Sequence, residues 1–171
     1  MNRAEELKRK YNLTSHPEGG WFSEVYTSPS ASGGRAFTGS IYYLLEGNDV
    51  SHFHQIDCDE IWYHHEGGAM KITMIVVAEG SGTGSSSQGS PGTWTVRETF
   101  LGAGEGETAM VVIPAGAVFA AELIDKESYC FTSCVTTPKF TYDGFRLLGR
   151  DEIKALCPSE FDRLAYLAVE G

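Results

Sequence analysis

The feature that most constrains the fold of this chain is a long series of short, β-prone segments separated by turn residues. Aromatic and β-branched residues concentrate in these segments, and glycine, asparagine and aspartate interrupt them. The predicted strands cover residues 21–26, 36–45, 61–64, 70–78, 93–100, 109–113, 118–124 and 129–136, with one more after the turn at 47–49. Strands at this density favour an antiparallel double-sheet jelly roll over an α/β sheet. We therefore predict an all-β fold.

Short helices are predicted at both ends of the chain. Residues 4–13 place Leu7 and Tyr11 on one side of a helix, and residues 151–170 repeat apolar side chains at helical spacing around Pro158. The barrel then occupies about 20–140. With 171 residues, of which 42% are hydrophobic, the chain is long enough for one core, and we predict a single domain over 1–171. Residues 80–92 contain only Gly, Ser, Thr, Gln and Pro, which predicts a hairpin loop.

The charge balance limits the classes of partner. Thirteen basic and 23 acidic residues give a net charge of −10, which disfavours a nucleic acid polymer but leaves room for one nucleotide in a local pocket. The charged N-terminus and the lack of a long apolar run argue against a signal peptide and a membrane partner. The four cysteines, at 58, 130, 134 and 157, show no C-x-x-C spacing and predict free thiols. We expect a cytoplasmic protein.

His52 and His54 are the strongest candidates for chemistry. Residues two positions apart on a strand share a face, and Glu60 on the following strand could converge on both imidazoles. That arrangement would suit either a metal face of two histidines and one carboxylate or a general acid/base cluster. An isolated H-x-H pattern is equally typical of solvated or hydrogen-bonded histidines.

The two histidines belong to a longer sequence pattern. Residues 47–54 read G-N-D-V-S-H-F-H and are followed by Glu60 and Gly67, which resembles the first signature of the cupin superfamily. A second signature, P-x-G, appears as P-A-G at 114–116. Together with H-P-E-G-G-W-F at 16–22 and D-E-I-W at 59–62, these motifs are similar to the fifth cupin subfamily, long catalogued as a domain of unknown function. The resemblance implies a double-stranded β-helix jelly roll, the cupin barrel, over nearly the whole chain.

Two departures from the cupin signatures bear on the metal. The gap between His54 and Glu60 is one residue longer than usual, and Phe119 stands where the second signature has a histidine. A phenyl ring cannot ligate, so the resemblance implies at most three protein ligands, namely His52, His54 and Glu60. Three ligands suffice for a catalytic metal with open positions, and they are also what a site retains after losing its metal. We predict that no cofactor is required and keep a divalent metal as the alternative.

Strand alternation and a second resemblance suggest ligand contacts. The segment G-W-F-S-E at 20–24 is similar to one in cupin-type sugar-nucleotide epimerases, which act on deoxysugars linked to a nucleoside diphosphate. Those enzymes have an arginine just before the glycine, where this chain has Glu18 and Gly19, so Arg35, Arg97, Arg146 or Lys139 would have to supply charge. The predicted ligand-binding residues are Trp21, Glu24, Tyr42, Glu60, Trp62, His64 and Phe119.

These observations lead to one functional prediction and two alternatives. We expect a small-molecule-binding cupin for a nucleotide or nucleotide-sugar, with epimerase-like proton abstraction by His52 or His54 and proton return from Tyr63 or Tyr142. The first alternative is a non-catalytic ligand-binding or sensing cupin. The second is a metal-dependent oxygenase or isomerase that uses His52, His54 and Glu60. Exposed sheet edges and the fold analogy favour a homodimer.

Overall fold

The chain folds into two antiparallel sheets packed face to face, with short helices at both ends. The structure is a computed structural model that describes residues 2–30, 33–77 and 94–170. Its elements are α1 (Arg3–Lys10), β1 (Thr14–Ser15), β2 (Trp21–Thr27), β3 (Gly39–Glu46), β4 (Val50–Ile56), β5 (Asp59–Gly67), β6 (Met70–Val77), β7 (Trp94–Leu101), β8 (Met110–Ile113), β9 (Val118–Leu123), β10 (Tyr129–Thr137), β11 (Phe145–Leu147), α2 (Arg150–Leu156) and α3 (Phe161–Leu164). The predicted all-β jelly-roll class with terminal helices is confirmed.

The strand order explains where a cavity can form. One sheet has six strands in the order β1-β2-β3-β10-β5-β8, and the other has five in the order β11-β4-β9-β6-β7. The consecutive strands β4 and β5 therefore belong to different sheets. Side chains that point inward from β4 and β5 consequently enter the barrel from opposite walls.

Three apolar clusters hold the layers together. The interior cluster includes Trp62 and Phe119, both excluded from solvent. On the outer face of the five-stranded sheet, Phe53 belongs to a cluster that the C-terminal helices cover. On the outer face of the six-stranded sheet, Leu7 of α1 shares a cluster with Leu44. Both terminal helical segments thus cap sheet faces that would otherwise be exposed.

Two short strands escaped the sequence prediction. β1 has two residues and β11 has three, so neither is long enough to show an alternating pattern of apolar and polar residues. The hairpin loop predicted for 80–92 lies outside the described residues. All four cysteines are buried, unpaired thiols. No helix in the described part of the chain is long and apolar enough to cross a membrane.

Candidate functional site

A cavity of about 520 Å³ opens between the two sheets. It is lined by the aromatic residues Phe22, Tyr43, Trp62, Phe140 and Tyr142, by His16 and His54, by Glu18, Glu24 and Glu60, and by Arg35 and Lys139 at its mouth. This volume lies within the range of about 300–1,000 Å³ that is typical of small-molecule sites. The mixture of aromatic rings and a few polar groups is also typical of such sites.

The two histidines of the H-x-H motif do not face the same way. The pairing of β4 with β9 shifts register between Ser51 and His54, which marks a β-bulge. A bulge inserts an extra residue and breaks the alternation of faces. His54 lines the cavity, whereas the Nδ1 atom of His52 lies 3.2 Å from the carbonyl oxygen of Leu167 in the C-terminal segment. The prediction that both imidazoles face the cavity is therefore wrong for His52.

The ring of His54 is fixed in a defined orientation. Its side chain is only 2% exposed, and its Nδ1 atom lies 2.7 Å from the carbonyl oxygen of His52. A carbonyl oxygen only accepts hydrogen bonds, so Nδ1 carries the proton and Nε2 is the basic nitrogen of the neutral ring. Phe119 packs on the imidazole with 4.0 Å between ring centroids. Because His54 lines the cavity, its basic nitrogen belongs to the site.

Glu18 is a buried carboxylate of the site that the sequence analysis did not select. It is 6% exposed. Its Oε1 atom accepts a hydrogen bond of 2.8 Å from the hydroxyl of Ser51. Its Oε2 atom lies 3.3 Å from His54 Nε2 and 3.3 Å from His16 Nδ1. Burial lowers the pKa of His16, although the nearby Glu18 acts in the opposite direction. The H-P-E-G-G motif was the sequence signal that could have identified this residue.

The glycines of this motif explain how Glu18 reaches the cavity. Gly19 has a φ of +109°, and a Cβ atom there would lie 2.0 Å from the carbonyl oxygen of Val50. The hydroxyl of Tyr43 donates a hydrogen bond of 2.7 Å to the carbonyl of Gly19, and the backbone N–H of His52 donates one of 2.8 Å to the carbonyl of Glu18. Only glycine tolerates such a close backbone approach at positive φ. The loop is therefore pressed against β3 and β4.

Glu60 and Trp62 share the cavity face of β5, as strand alternation predicted. Burial raises the pKa of Glu60 to about 8, and the indole N–H of Trp62 acts in the opposite direction. At neutral pH the carboxyl of Glu60 is thus protonated and can donate a hydrogen bond. The ring of Trp62 is 1% exposed and packs against Tyr43 and Phe119, with centroids 5.3 Å and 6.3 Å away.

Two cationic side chains lie at the mouth of the cavity. The guanidinium of Arg35 contacts both carboxylate oxygens of Asp57, at 2.9 and 2.8 Å, and also donates to the carbonyl of Lys139. The ammonium of Lys139 donates to Glu24 Oε1 and Thr27 Oγ1, each at 2.7 Å. Glu24 thus lies at the mouth, beside a cation. The alternative cation Arg146 lies elsewhere and contacts Gln55 and Glu152.

The remaining predicted residues divide between the mouth and the outside of the barrel. Tyr142 is 56% exposed and lines the mouth. Trp21 and Tyr42 point to the outer face, where Lys8 covers the ring of Trp21 and Tyr11 packs on Tyr42. These two contacts with α1 contradict the prediction that both rings line the cavity.

Tyr63 and His64 on β5 also lie outside the cavity lining. Tyr63 is 38% exposed on the face of β5 opposite to Trp62. The Nε2 atom of His64 is buried and has no hydrogen-bond partner among the described residues, and the ring is not among the residues that line the cavity. Neither residue is therefore placed to meet a ligand in the cavity.

The side chains present do not form the metal face implied by the cupin signature. Within the described residues, no three His, Cys, Asp or Glu side chains cluster in a way that could hold a metal ion. His52 is directed away from His54, and Phe119 is the direct cross-strand partner of His54 on β9. The predicted ligand set of His52, His54 and Glu60 is therefore not assembled.

An antiparallel jelly roll with a small-molecule cavity between its sheets is the architecture of a cupin barrel. Residues 5–148 match the profile of the family described as Cupin superfamily (DUF985). The chain belongs to this family.

Solved structures agree with this assignment. A protein from Shewanella oneidensis is 28% identical, with a TM-score of 0.84 and coverage of 100% of both chains. A hypothetical protein from Leishmania major is 27% identical, with a TM-score of 0.83 and coverage of 99% of this chain and 100% of its own. Oxalate decarboxylase from Bacillus subtilis shares the fold alone, at 15% identity and a TM-score of 0.53 over 92% of this chain and 37% of the decarboxylase. Among curated proteins, none matches the sequence significantly.

Proposed function

We propose that this cupin binds a nucleotide-sugar, or a closely related nucleotide, and transfers a proton at a carbon next to a carbonyl group, as an epimerase or isomerase does. The observation that carries this proposal is the orientation of His54. A backbone carbonyl holds its Nδ1, which leaves Nε2 as the base of a 2% exposed ring that lines the cavity. The similarity to sugar-nucleotide epimerases is not confirmed by the comparisons and belongs to the proposal.

A second group in the same cavity supports proton transfer. Abstraction of a proton next to a carbonyl builds negative charge on the carbonyl oxygen, which a nearby hydrogen-bond donor stabilises. Glu60, whose pKa is raised to about 8 by burial, is such a donor at neutral pH. Tyr142 at the mouth is better placed than the outward-facing Tyr63 to return a proton.

The mouth supports an anionic part of the ligand. Arg35 and Lys139 line it, and either cation could exchange a carboxylate partner for a phosphate oxygen. In this arrangement the sugar occupies the aromatic interior and the diphosphate stays at the mouth. The proposal thus places the two chemically different parts of a nucleotide-sugar in two different regions of one cavity.

A cytoplasmic location and a homodimer complete the proposal. The four unpaired thiols suit a reducing compartment. Strand β8 ends the six-stranded sheet, and Met110 and Val112 on it are 44% and 51% exposed, which supports contact between copies. Light scattering during size-exclusion chromatography tests the dimer.

Hydrogen exchange into the ligand tests the reaction. Keto-deoxysugars linked to thymidine, uridine and guanosine diphosphates would be incubated with the protein in D₂O, and loss of the proton next to the carbonyl would be followed by NMR. We expect exchange in the wild-type protein and a loss of about 10²- to 10⁴-fold in His54→Asn. His65→Asn is the matched control, because His65 contacts Ser133 outside the cavity.

The outcomes separate the alternatives. Binding by calorimetry without exchange would support a non-catalytic ligand-binding cupin. Neither binding nor exchange with any of these compounds would overturn the nucleotide-sugar proposal. About one equivalent of metal in the protein purified without chelators, together with exchange that a chelator abolishes and added divalent metal restores, would support the metal-dependent alternative.

A further inference from the structure

We propose that Glu18 is a positioning residue that holds the imidazole of His54 and stabilises the imidazolium formed when Nε2 takes a proton from the substrate. This inference rests on the proposed function. It assigns a role to the H-P-E-G-G motif, which the function itself does not explain. It also places an N-terminal loop, outside the two cupin signatures, in the catalytic apparatus.

The first argument for this role comes from the contacts of the Glu18 carboxylate. Ser51 donates to Oε1, so this oxygen is fixed, and Oε2 remains 3.3 Å from His54 Nε2. When Nε2 gains a proton, the new N–H has a carboxylate beside it, and the other ring nitrogen already contacts the carbonyl of His52. Both nitrogens of the imidazolium would then face acceptors, which favours the charged ring.

The second argument comes from the burial of Glu18. A buried carboxylate is costly unless charged or polar groups compensate it. Within the described residues, the ion-pair contacts of Glu18 are to His16 and His54, and no lysine or arginine approaches it. While His54 is neutral, the hydroxyl of Ser51 compensates the carboxylate only in part, and a positive charge on His54 would complete the compensation. This matches a group that acts through a histidine.

The third argument comes from the structure of the loop that contains Glu18, Gly19 and Gly20. Gly19 cannot carry a Cβ without meeting the backbone of Val50, and Gly20 cannot carry one without meeting Leu45 and Tyr43. The carbonyl of Glu18 itself accepts from the backbone N–H of His52, which lies two residues before His54. The backbone of the loop and the backbone of the histidine strand are thus joined at the point where the two side chains meet.

The substitution Glu18→Gln tests this role because it removes the charge and keeps the shape. At saturating keto-deoxysugar nucleotide in D₂O, we expect exchange to slow by about 10- to 100-fold, the range typical of losing a residue that orients a functional group. The dissociation constant measured by calorimetry should stay within about threefold. Glu18→Asp keeps the charge and should recover part of the rate, which a purely structural role would not predict.

Two further variants and a folding test distinguish a specific role of Glu18 from a general loss of structure. Ser51→Ala removes the donor that fixes Oε1 and should slow exchange by a smaller factor than Glu18→Gln. Glu122→Gln is the matched control: Glu122 is equally buried, at 7% exposed, but contacts Lys71 and Lys126 outside the cavity. It should leave exchange unchanged. Thermal unfolding would establish that each variant is folded at the assay temperature.

Different failures have different meanings. Equal exchange rates in wild type and a folded Glu18→Gln would overturn the role of Glu18 alone. A dissociation constant that rises in proportion to the lost rate would make Glu18 a ligand contact and overturn the positioning role. Absence of exchange in the wild-type protein would overturn the proposed function and this inference together.

Discussion

Two carboxyl groups are buried in one cavity, and their neighbours suit them to different tasks. Glu18 has a hydroxyl donor and two imidazoles within 3.3 Å, whereas Glu60 has no cationic partner in the described part of the chain. A carboxyl without a cation loses more hydration on burial than neutral neighbours such as Trp62 restore, so its neutral form is favoured. Glu60 therefore serves as a hydrogen-bond donor near neutral pH, whereas Glu18 accepts from the hydroxyl of Ser51.

The raised pKa of Glu60 predicts a specific pH dependence of stability. Its pKa is about 8 in the folded protein, against the usual 4.5 for a glutamate. Below pH 4.5 the group is protonated in both states, and as pH rises toward 8 the unfolded state loses its proton first, so the free energy of unfolding falls. Each pKa unit corresponds to about 1.4 kcal/mol. Glu60→Gln should therefore become more stable than wild type by several kcal/mol between pH 5 and 9.

Urea unfolding at pH 5, 7 and 9 measures this difference, and Glu122→Gln is a control whose stability relative to wild type should stay nearly constant over this range. Burial raises the pKa of Glu122, but Tyr166, Lys126 and Lys71 outweigh it and lower the pKa overall. Glu122 therefore stabilises the folded protein at pH values above its usual pKa of 4.5, and this stabilisation is lost as the pH falls through the lowered pKa. A wild-type protein that keeps the same stability relative to Glu60→Gln at all three pH values would contradict the prediction.

At the scale of elements, the sequence predicted strand positions better than strand faces. Glu60 and Trp62 share the cavity face because β5 alternates regularly there, and simple alternation predicted this correctly. His52 turns away because β4 contains a bulge, and nothing in S-H-F-H marks one. Trp21 and Tyr42 face outward because α1 covers that side of the sheet, which is a long-range contact invisible to local periodicity. Local sequence patterns thus predict where the strands lie, whereas tertiary contacts determine which face of a strand lines the cavity.

In the loop between β1 and β2, a single added methyl group should be costly. Gly19→Ala combines a φ of +109° with a Cβ placed 2.0 Å from a backbone oxygen that cannot move independently of β4. We expect it to cost at least the roughly 1–3 kcal/mol of a strained φ alone and to slow exchange through displacement of Glu18. Gly106→Ala is the matched control, since its φ is +78° and an added Cβ would meet no atom of the described residues within 4 Å beyond its chain neighbours. Equal unfolding midpoints in denaturant for the two variants would mean that the loop is not pressed against β4.

At the scale of the whole molecule, the surface charge and the cavity mouth act in opposite directions on an anionic ligand. The net charge of −10 repels phosphates at long range. Arg35 and Lys139 offer local attraction, although Asp57 and Glu24 neutralise them in the absence of ligand. The overall charge could be read from the sequence. The clustering of these two cations at one mouth could not, because 104 positions separate them in the chain.

This opposition predicts how nucleotide binding responds to mutation and to salt. A charge-assisted hydrogen bond contributes roughly 1.5–3 kcal/mol, so the double substitution Arg35→Ala and Lys139→Ala should raise the dissociation constant for nucleoside diphosphates by about 10-fold or more. Residual binding to the double variant should strengthen as salt rises from about 10 mM to about 150 mM, because only repulsion remains to be screened, from the net charge and from the unpaired Asp57 and Glu24. Wild-type binding, in which salt also weakens the local attraction, should strengthen less or weaken. Arg163→Ala is the control, since Arg163 pairs with Glu98 and Glu160 away from the mouth.

Calorimetry measures both effects. If the double variant and the wild-type protein have the same dissociation constant and the same salt response, the mouth does not hold the phosphates.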